Sequence, residues 1–171
     1  MSRALIVLVA AGLAGCQSML ADAPRATANL QPTKGSQASG TAGFRQVGNK
    51  VRLTASLSGL KPGGEHGFHV HEAGDCSSGD GMSAKGHFNP HGKPHGNPAT
   101  SERHAGDMPM LRADSSGNAK LDTELDIITV APGPASVVGR GLIVHADPDD
   151  FKTQPTGNAG ARLACAVIQR G

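Results

Sequence analysis

Apolar and polar side chains alternate along most of this chain. Val51, Leu53, Ala55 and Leu57 interleave with Arg52, Thr54, Ser56 and Ser58 before Gly59 ends the run, which is the two-residue period of a half-buried strand. Ala26, Ala28 and Leu30 share one side of an earlier strand, and Gly40 to Gln46 supplies another. Gly67-Phe68-His69-Val70-His71 continues the pattern. Met108 to Ala113 and Ala119 to Ile127 flank the turn Asp114-Ser115-Ser116-Gly117-Asn118, while Val137 to His145 and Ala161 to Ile168 add two more strands. The reading predicts about eight strands, no helix, no internal repeat and no domain boundary. Residues 72–107, 128–136 and 146–160 do not alternate, and the first of these is longer than a structureless connection in a compact domain usually is. The pattern predicts an all-β domain, one closed antiparallel barrel or sandwich that carries its chemistry on long outer loops.

Composition agrees with a turn-rich β fold: there are 24 glycines, and four phenylalanines are the only aromatic residues of the Phe, Tyr and Trp type. The formal charge is +2 with no run of lysines or arginines, so nothing calls for a nucleic-acid partner. At the N-terminus, Met1-Ser2-Arg3 leads into the apolar run Ala4 to Ala11, too short for a permanent membrane span and suited to an export signal. The run ends in Leu13-Ala14-Gly15-Cys16, which resembles a bacterial lipoprotein cleavage box. On that reading residues 1–15 are a signal peptide, Cys16 carries the lipid, residues 16–25 are a tether, and residues 26–171 form the domain. The lipid is then the only membrane contact. An ordinary secretory signal cut near Ala21-Asp22-Ala23 is the competing reading. Gln17 follows the cysteine where inner-membrane retention would favour aspartate, so outer-membrane attachment in the bacterial periplasm is the expectation.

With Cys16 assigned to lipid, Cys76 and Cys165 remain, and an exported chain most simply pairs them. Such a link closes a loop of about 90 residues, worth roughly 4 to 5 kcal/mol by chain entropy.

All eight histidines fall between His66 and His145. His69 and His71, two apart on a strand, project from the same face while Phe68 and Val70 enter the core. His145 ends another strand, and His87, His95, His104 and Asp107 follow one another through the long loop. Seven nitrogen and oxygen donors are too many for one tetrahedral ion and suit two adjacent metals such as copper and zinc. Spacing alone leaves open whether His87 serves one metal or bridges two through both ring nitrogens. His66 and His91 are read as ordinary non-ligating histidines.

At these residues the chain resembles the copper-zinc superoxide dismutases, and most closely their bacterial periplasmic, lipoprotein-type branch. The resemblance rests on His69-Val70-His71-Glu72, Gly74-Asp75-Cys76, Gly86-His87-Phe88-Asn89-Pro90, His104-Ala105-Gly106-Asp107, Leu142-Ile143-Val144-His145-Ala146 and Gly157-Asn158-Ala159-Gly160-Ala161-Arg162-Leu163-Ala164-Cys165. It implies an eight-stranded antiparallel Greek-key barrel with long metal-binding and electrostatic loops. It implies copper held by His69, His71, His87 and His145, zinc held by His87, His95, His104 and Asp107, and His87 as the bridge. Asp149 would link a copper histidine to a zinc histidine, Cys76 would pair with Cys165, and Arg162 would guide the substrate. The implied activity is conversion of superoxide to O2 and H2O2 at a copper cycling between Cu2+ and Cu+, with His87 exchanging a proton, by a monomer or homodimer. A protein that stores or delivers copper and zinc without turnover would use the same ligands but would have no need of Arg162.

Overall fold

In the computed structural model, residues 23–171 are described. The signal segment, Cys16 and most of the tether lie outside the described residues. The alternating runs become β1 (Arg25–Pro32), β2 (Ser39–Val47) and β3 (Lys50–Ser58), in which the apolar positions are the buried ones except at the strand ends Pro32 and Val47. The hairpin between β2 and β3 pairs Val47 with Lys50 around Gly48 and Asn49. Gly48 has φ +58, the backbone sign a two-residue hairpin turn needs.

The rest of the chain adds β4 (Glu65–His66), β5 (Phe68–His71), β6 (Leu111–Arg112), β7 (Ala119–Leu125), β8 (Gly141–His145), β9 (Arg162–Val167) and β10 (Gln169–Arg170). Hydrogen bonds join an eight-stranded antiparallel sheet in the order β5, β8, β9, β1, β2, β3, β7, with β10 also pairing with β1. A separate two-stranded ladder joins β4 and β6.

The expectation of a fully closed Greek-key barrel is therefore corrected to a curled, half-barrel sheet with β5 and β7 at its ends. Two local causes keep the ladder open. At Gly67 the chain turns from β4 to β5, its N–H donating to the carbonyl of Asp147 (2.9 Å) and its carbonyl accepting from His145 N–H (2.8 Å). Pro109, just before β6, has no N–H to contribute, and the expected strand over 108–113 shrinks to two residues. The expected strand over 137–145 also shortens, because Val137 to Arg140 forms a turn with Gly139 at φ +80.

Leu30, Phe44, Leu53, Phe68, Val70, Leu142, Val144 and Ile168 fill one continuous core. All five residues of β8 are buried, because its other face lies under the loops: Ile143 packs there with Ala84 and Cys165. The long loop is tied to β5 by backbone bonds. Phe88 N–H donates to Val70 O (2.8 Å), Val70 N–H to Gly106 O (3.0 Å) and Glu72 N–H to Gly86 O (2.9 Å). His87 and Asp107 consequently sit on strand-like backbone, opposite His71 and His69 respectively.

Candidate metal centre

Strand β5 carries His69 and His71, and its neighbour β8 delivers His145 to the same place. The register slips between Val144 and His145, so that His145 lies opposite Arg162 of β9. Such a bulge re-aims a side chain that strict alternation would place elsewhere. His69, His71, His87 and His145 are all buried, and one ring nitrogen from each lies within 4.8 Å of the others.

The second nitrogen of each ring decides what the first can do. His71 Nδ1–H donates to the carbonyl of Lys85 (2.8 Å) and His145 Nδ1–H to that of Gly160 (3.3 Å). This leaves a lone pair on each Nε2, and the two Nε2 atoms face one another at 3.3 Å. His69 Nε2–H donates to Asp149 Oδ2 (2.7 Å), leaving Nδ1 bare. His69 Nδ1 and His87 Nε2 are buried and, among the described residues, have no hydrogen-bond partner. Four lone pairs thus converge with no proton between them. Burial, then the neighbouring histidines and Arg162, hold His71 well below the usual imidazole range. Burial is also the first cause that pushes His145 down to about 3 and His87 to about 4. Neutral imidazoles in this arrangement fit a copper ion, which accepts nitrogen donors readily.

On its other side, His87 Nδ1 lies 2.8 Å from Asp107 Oδ1. The Nδ1 atoms of His95 and His104 approach the same oxygen at 3.0 and 3.5 Å. The second oxygen of Asp107 accepts the backbone N–H groups of Gly96 (3.0 Å) and His104 (2.9 Å), which aims Oδ1 at the histidines. Burial opposes ionisation of Asp107, but the hydrogen bonds from His104, His87, His95 and Gly96 outweigh it and hold the carboxyl far below its ordinary range. Burial likewise works against a charged His95, yet its bonds to Asp107 and Asp149 raise it to about 9. Three imidazole nitrogens and one ionised carboxylate make a closed donor set of the kind that binds structural zinc. Divalent zinc would take the place of the His95 proton.

Asp149 spans the two sets. One oxygen accepts from His69 Nε2–H, and the other from His95 Nε2–H (2.9 Å) and Phe151 N–H (2.7 Å). A partner that fixes the tautomer of one ligand in each set raises the affinity of both. Gly157, at φ +66, closes over this carboxylate, and a Cβ there would overlap Asp149 and His95.

Arg162 is half-buried beside the four-histidine set. Its guanidinium donates to Gly81 O (2.6 Å) and Lys85 O (2.5 Å). The Lys85 carbonyl therefore serves both Arg162 and His71, and Lys85 holds it in place with a left-handed backbone, φ +63. The disulfide between Cys76 and Cys165 binds the loop that carries these carbonyls to the strand that carries Arg162. His66 is buried and donates to the carbonyl of His145 (2.8 Å), whereas His91 is exposed, and neither joins a donor set.

All eight expected metal-site and linking residues are thus brought together. The side-chain pattern of the sequence does not reveal the roles of Lys85 O, Gly160 O and Gly157. A backbone acceptor leaves no mark in side-chain identity, although Gly157 and Gly160 stand inside the quoted motif before Arg162.

The copper/zinc superoxide dismutase family model matches residues 38–168. The chain is 44% identical over 135 residues to a Cu-Zn superoxide dismutase of Paramecium bursaria Chlorella virus 1, covering 75% of this chain and 71% of that protein. It is 39% identical over 149 residues to Cu-Zn superoxide dismutase 2 of Aquifex aeolicus, covering 85% and 86%. The crystal structure of the clock protein EA4 is similar with a TM-score of 0.77 and 40% identity, over 85% of this chain and 93% of that one.

Proposed function

Because the chain belongs to the copper/zinc superoxide dismutase family, we propose that it disproportionates superoxide at a copper held by His69, His71, His87 and His145, with zinc held by His87, His95, His104 and Asp107. The observation that carries this reading is His87, whose Nε2 enters one donor set and whose Nδ1 enters the other.

When bound, copper supplies one-electron exchange, taking an electron from one superoxide and returning it to another. The protein's part is to capture, position and move protons. Arg162 presents a cation at the edge of the histidine set, where it draws in and orients a small anion. The carbonyls of Gly81 and Lys85 fix that guanidinium, so little reordering accompanies capture. Two superoxide anions and two protons become O2 and H2O2. His87 Nε2, buried and unpartnered among the described residues, would be placed to hold one of these protons and give it to the peroxide product. Asp149 keeps His69 and His95 in the tautomer that leaves each Nδ1 free for its ion.

The test is superoxide decay after a radiolytic pulse, measured on protein of known copper and zinc content. Rapid decay that slows with salt, and falls strongly in Arg162→Ala at unchanged metal content, supports the reading. Full copper and zinc occupancy without turnover would instead identify a storage or delivery protein.

We further infer that the chain belongs to the bacterial periplasmic lipoprotein branch and is held at the outer membrane through Cys16, as a monomer or homodimer. The support is the Leu13-Ala14-Gly15-Cys16 box after a short apolar run. Labelled palmitate should enter the protein in a bacterial host and fail to enter Cys16→Ala.

A further inference from the structure

Just past the end of β1, Thr33 sits between the strand that bears Arg162 and the loop that holds its guanidinium. β1 faces β9 through Gln31 and Cys165 and then through Pro32 and Ala164. Pro32 has no N–H to give, and Thr33 takes over the pairing. Its N–H donates to Leu163 O (3.0 Å) and its hydroxyl to Arg162 O (2.6 Å). The same hydroxyl lies 3.1 Å from Leu163 O, but it has one proton, and that carbonyl already receives the Thr33 N–H. Thr33 is the one buried hydroxyl residue among the described residues. A buried acceptor stripped of such a donor costs more than the bond itself is worth.

The other side of Thr33 meets the loop. Gly81 packs against the stem of Arg162: a Cβ on it would lie 3.2 Å from Arg162 Cδ, 3.3 Å from Arg162 Cβ and 3.5 Å from Thr33 Cγ2. The Thr33 methyl thus stands beside the glycine whose carbonyl accepts from the guanidinium. The next residue, Lys34, donates its N–H to Gly79 O (2.8 Å). Residues 33 and 34 therefore grip both the backbone of Arg162 and the loop segment that fixes its head. The disulfide joins the same two pieces three residues further along β9, at Cys165.

We propose that Thr33 is a positioning residue for anion capture, holding Arg162 at the place from which its charge serves the four-histidine set. The inference rests on Arg162 being the capturing cation, as in the proposed function. Thr33 itself touches neither donor set.

The test uses protein loaded with copper and zinc, and azide as a small-anion probe that needs no turnover, its affinity read from the visible absorption of oxidised copper. Thr33→Val keeps the shape of the side chain and removes the donor, whereas Thr33→Ser keeps the donor and removes the methyl. At parent metal content, Thr33→Val should weaken azide binding and slow superoxide decay about two- to tenfold, the range of one lost hydrogen bond. Thr33→Ser should recover most of both. With Arg162→Ala already in place, Thr33→Val should change neither further, because the two residues act through one another. A threonine that merely stabilised the fold would instead show its effect with or without the arginine. The proposal is overturned by parent azide affinity in Thr33→Val, by equal losses in both backgrounds, or by Thr33→Ser performing no better than Thr33→Val. The expected azide pattern in a protein that does not consume superoxide would support the positioning role and overturn the enzyme reading alone.

Discussion

The half of the sheet formed by β1, β2, β3 and β7 and the loops that cover β5 and β8 are held together by different physics. In the first, the stabilising contacts are apolar: Leu30, Phe44, Val51 and Leu53 are buried on one face while charged and hydroxyl residues meet water on the other. In the second, the buried groups include six histidines of the two donor sets and two carboxylates. Their mutual hydrogen bonds satisfy only some of the ring nitrogens. A region of the first kind folds by excluding water from hydrocarbon. A region of the second kind carries buried lone pairs that a cation satisfies, so its order depends on metal and on covalent linkage.

Removing the metals should separate the two regions most sharply. Ions bound at about a thousandfold over their dissociation constant add roughly 4 kcal/mol each to stability, and tighter binding adds more. Chelation should lower the melting temperature steeply, and hydrogen exchange should show residues 72–107 losing protection while β2 and β3 keep theirs. Uniform loss across both regions would erase the distinction.

Breaking the disulfide is next in size. Cys76→Ala with Cys165→Ala should cost roughly 4 kcal/mol, since the bridge closes a loop of 89 residues. It should also reduce superoxide turnover at full copper occupancy, because Gly81 and Lys85 would no longer be fixed against the strand bearing Arg162. Leu53→Ala reverses the experiment. It should cost about 2 to 4 kcal/mol in denaturant unfolding and leave copper and zinc stoichiometry and turnover per copper unchanged.

Asp149→Asn probes the loops without disturbing hydrocarbon. An amide can orient only one of its two histidine partners, so metal affinity should fall about 10- to 100-fold in competition with a chelator, with little change in the stability of the metal-free protein relative to Leu53→Ala.

The smallest effect is on pH. In the metal-free protein, His87 and His145 have folded values of about 4 and 3, below their unfolded value, so unfolding takes up protons and stability falls as pH drops below about 6.5. His95, raised to about 9, acts in the opposite sense: its contribution is complete below the unfolded value and is lost as pH rises through 9. The metal-free melting temperature should therefore peak between these limits, and His95→Asn should flatten the alkaline side. Core variants such as Leu53→Ala should shift the whole curve without changing its shape.

The contrast also explains what could be read without coordinates. Alternation located β1, β2, β3 and β7 because burial on one face is written in every second residue. The histidines of the two donor sets were legible because imidazole pairs in a strand and a carboxylate after a histidine-rich loop have few other uses. Less visible were features created by backbone geometry. The slip after Val144 that turns His145 toward Arg162, the split at Gly67 and the open ladder depend on where N–H and C=O groups find partners. Lys85 is the clearest case. Its place in the site is its carbonyl, held at a φ that favours glycine, and its side chain gives no hint of that.

The central claim is that the ring of His87 is divided between two unlike ions. Anomalous diffraction collected at the copper and zinc absorption edges from fully metallated crystals tests it directly. The account predicts copper at His87 Nε2 and zinc at His87 Nδ1, the zinc about 2.0 to 2.1 Å from its nitrogen. One metal species at both positions in protein carrying equal copper and zinc, or a His87 bonded to only one ion in the oxidised state, would contradict it.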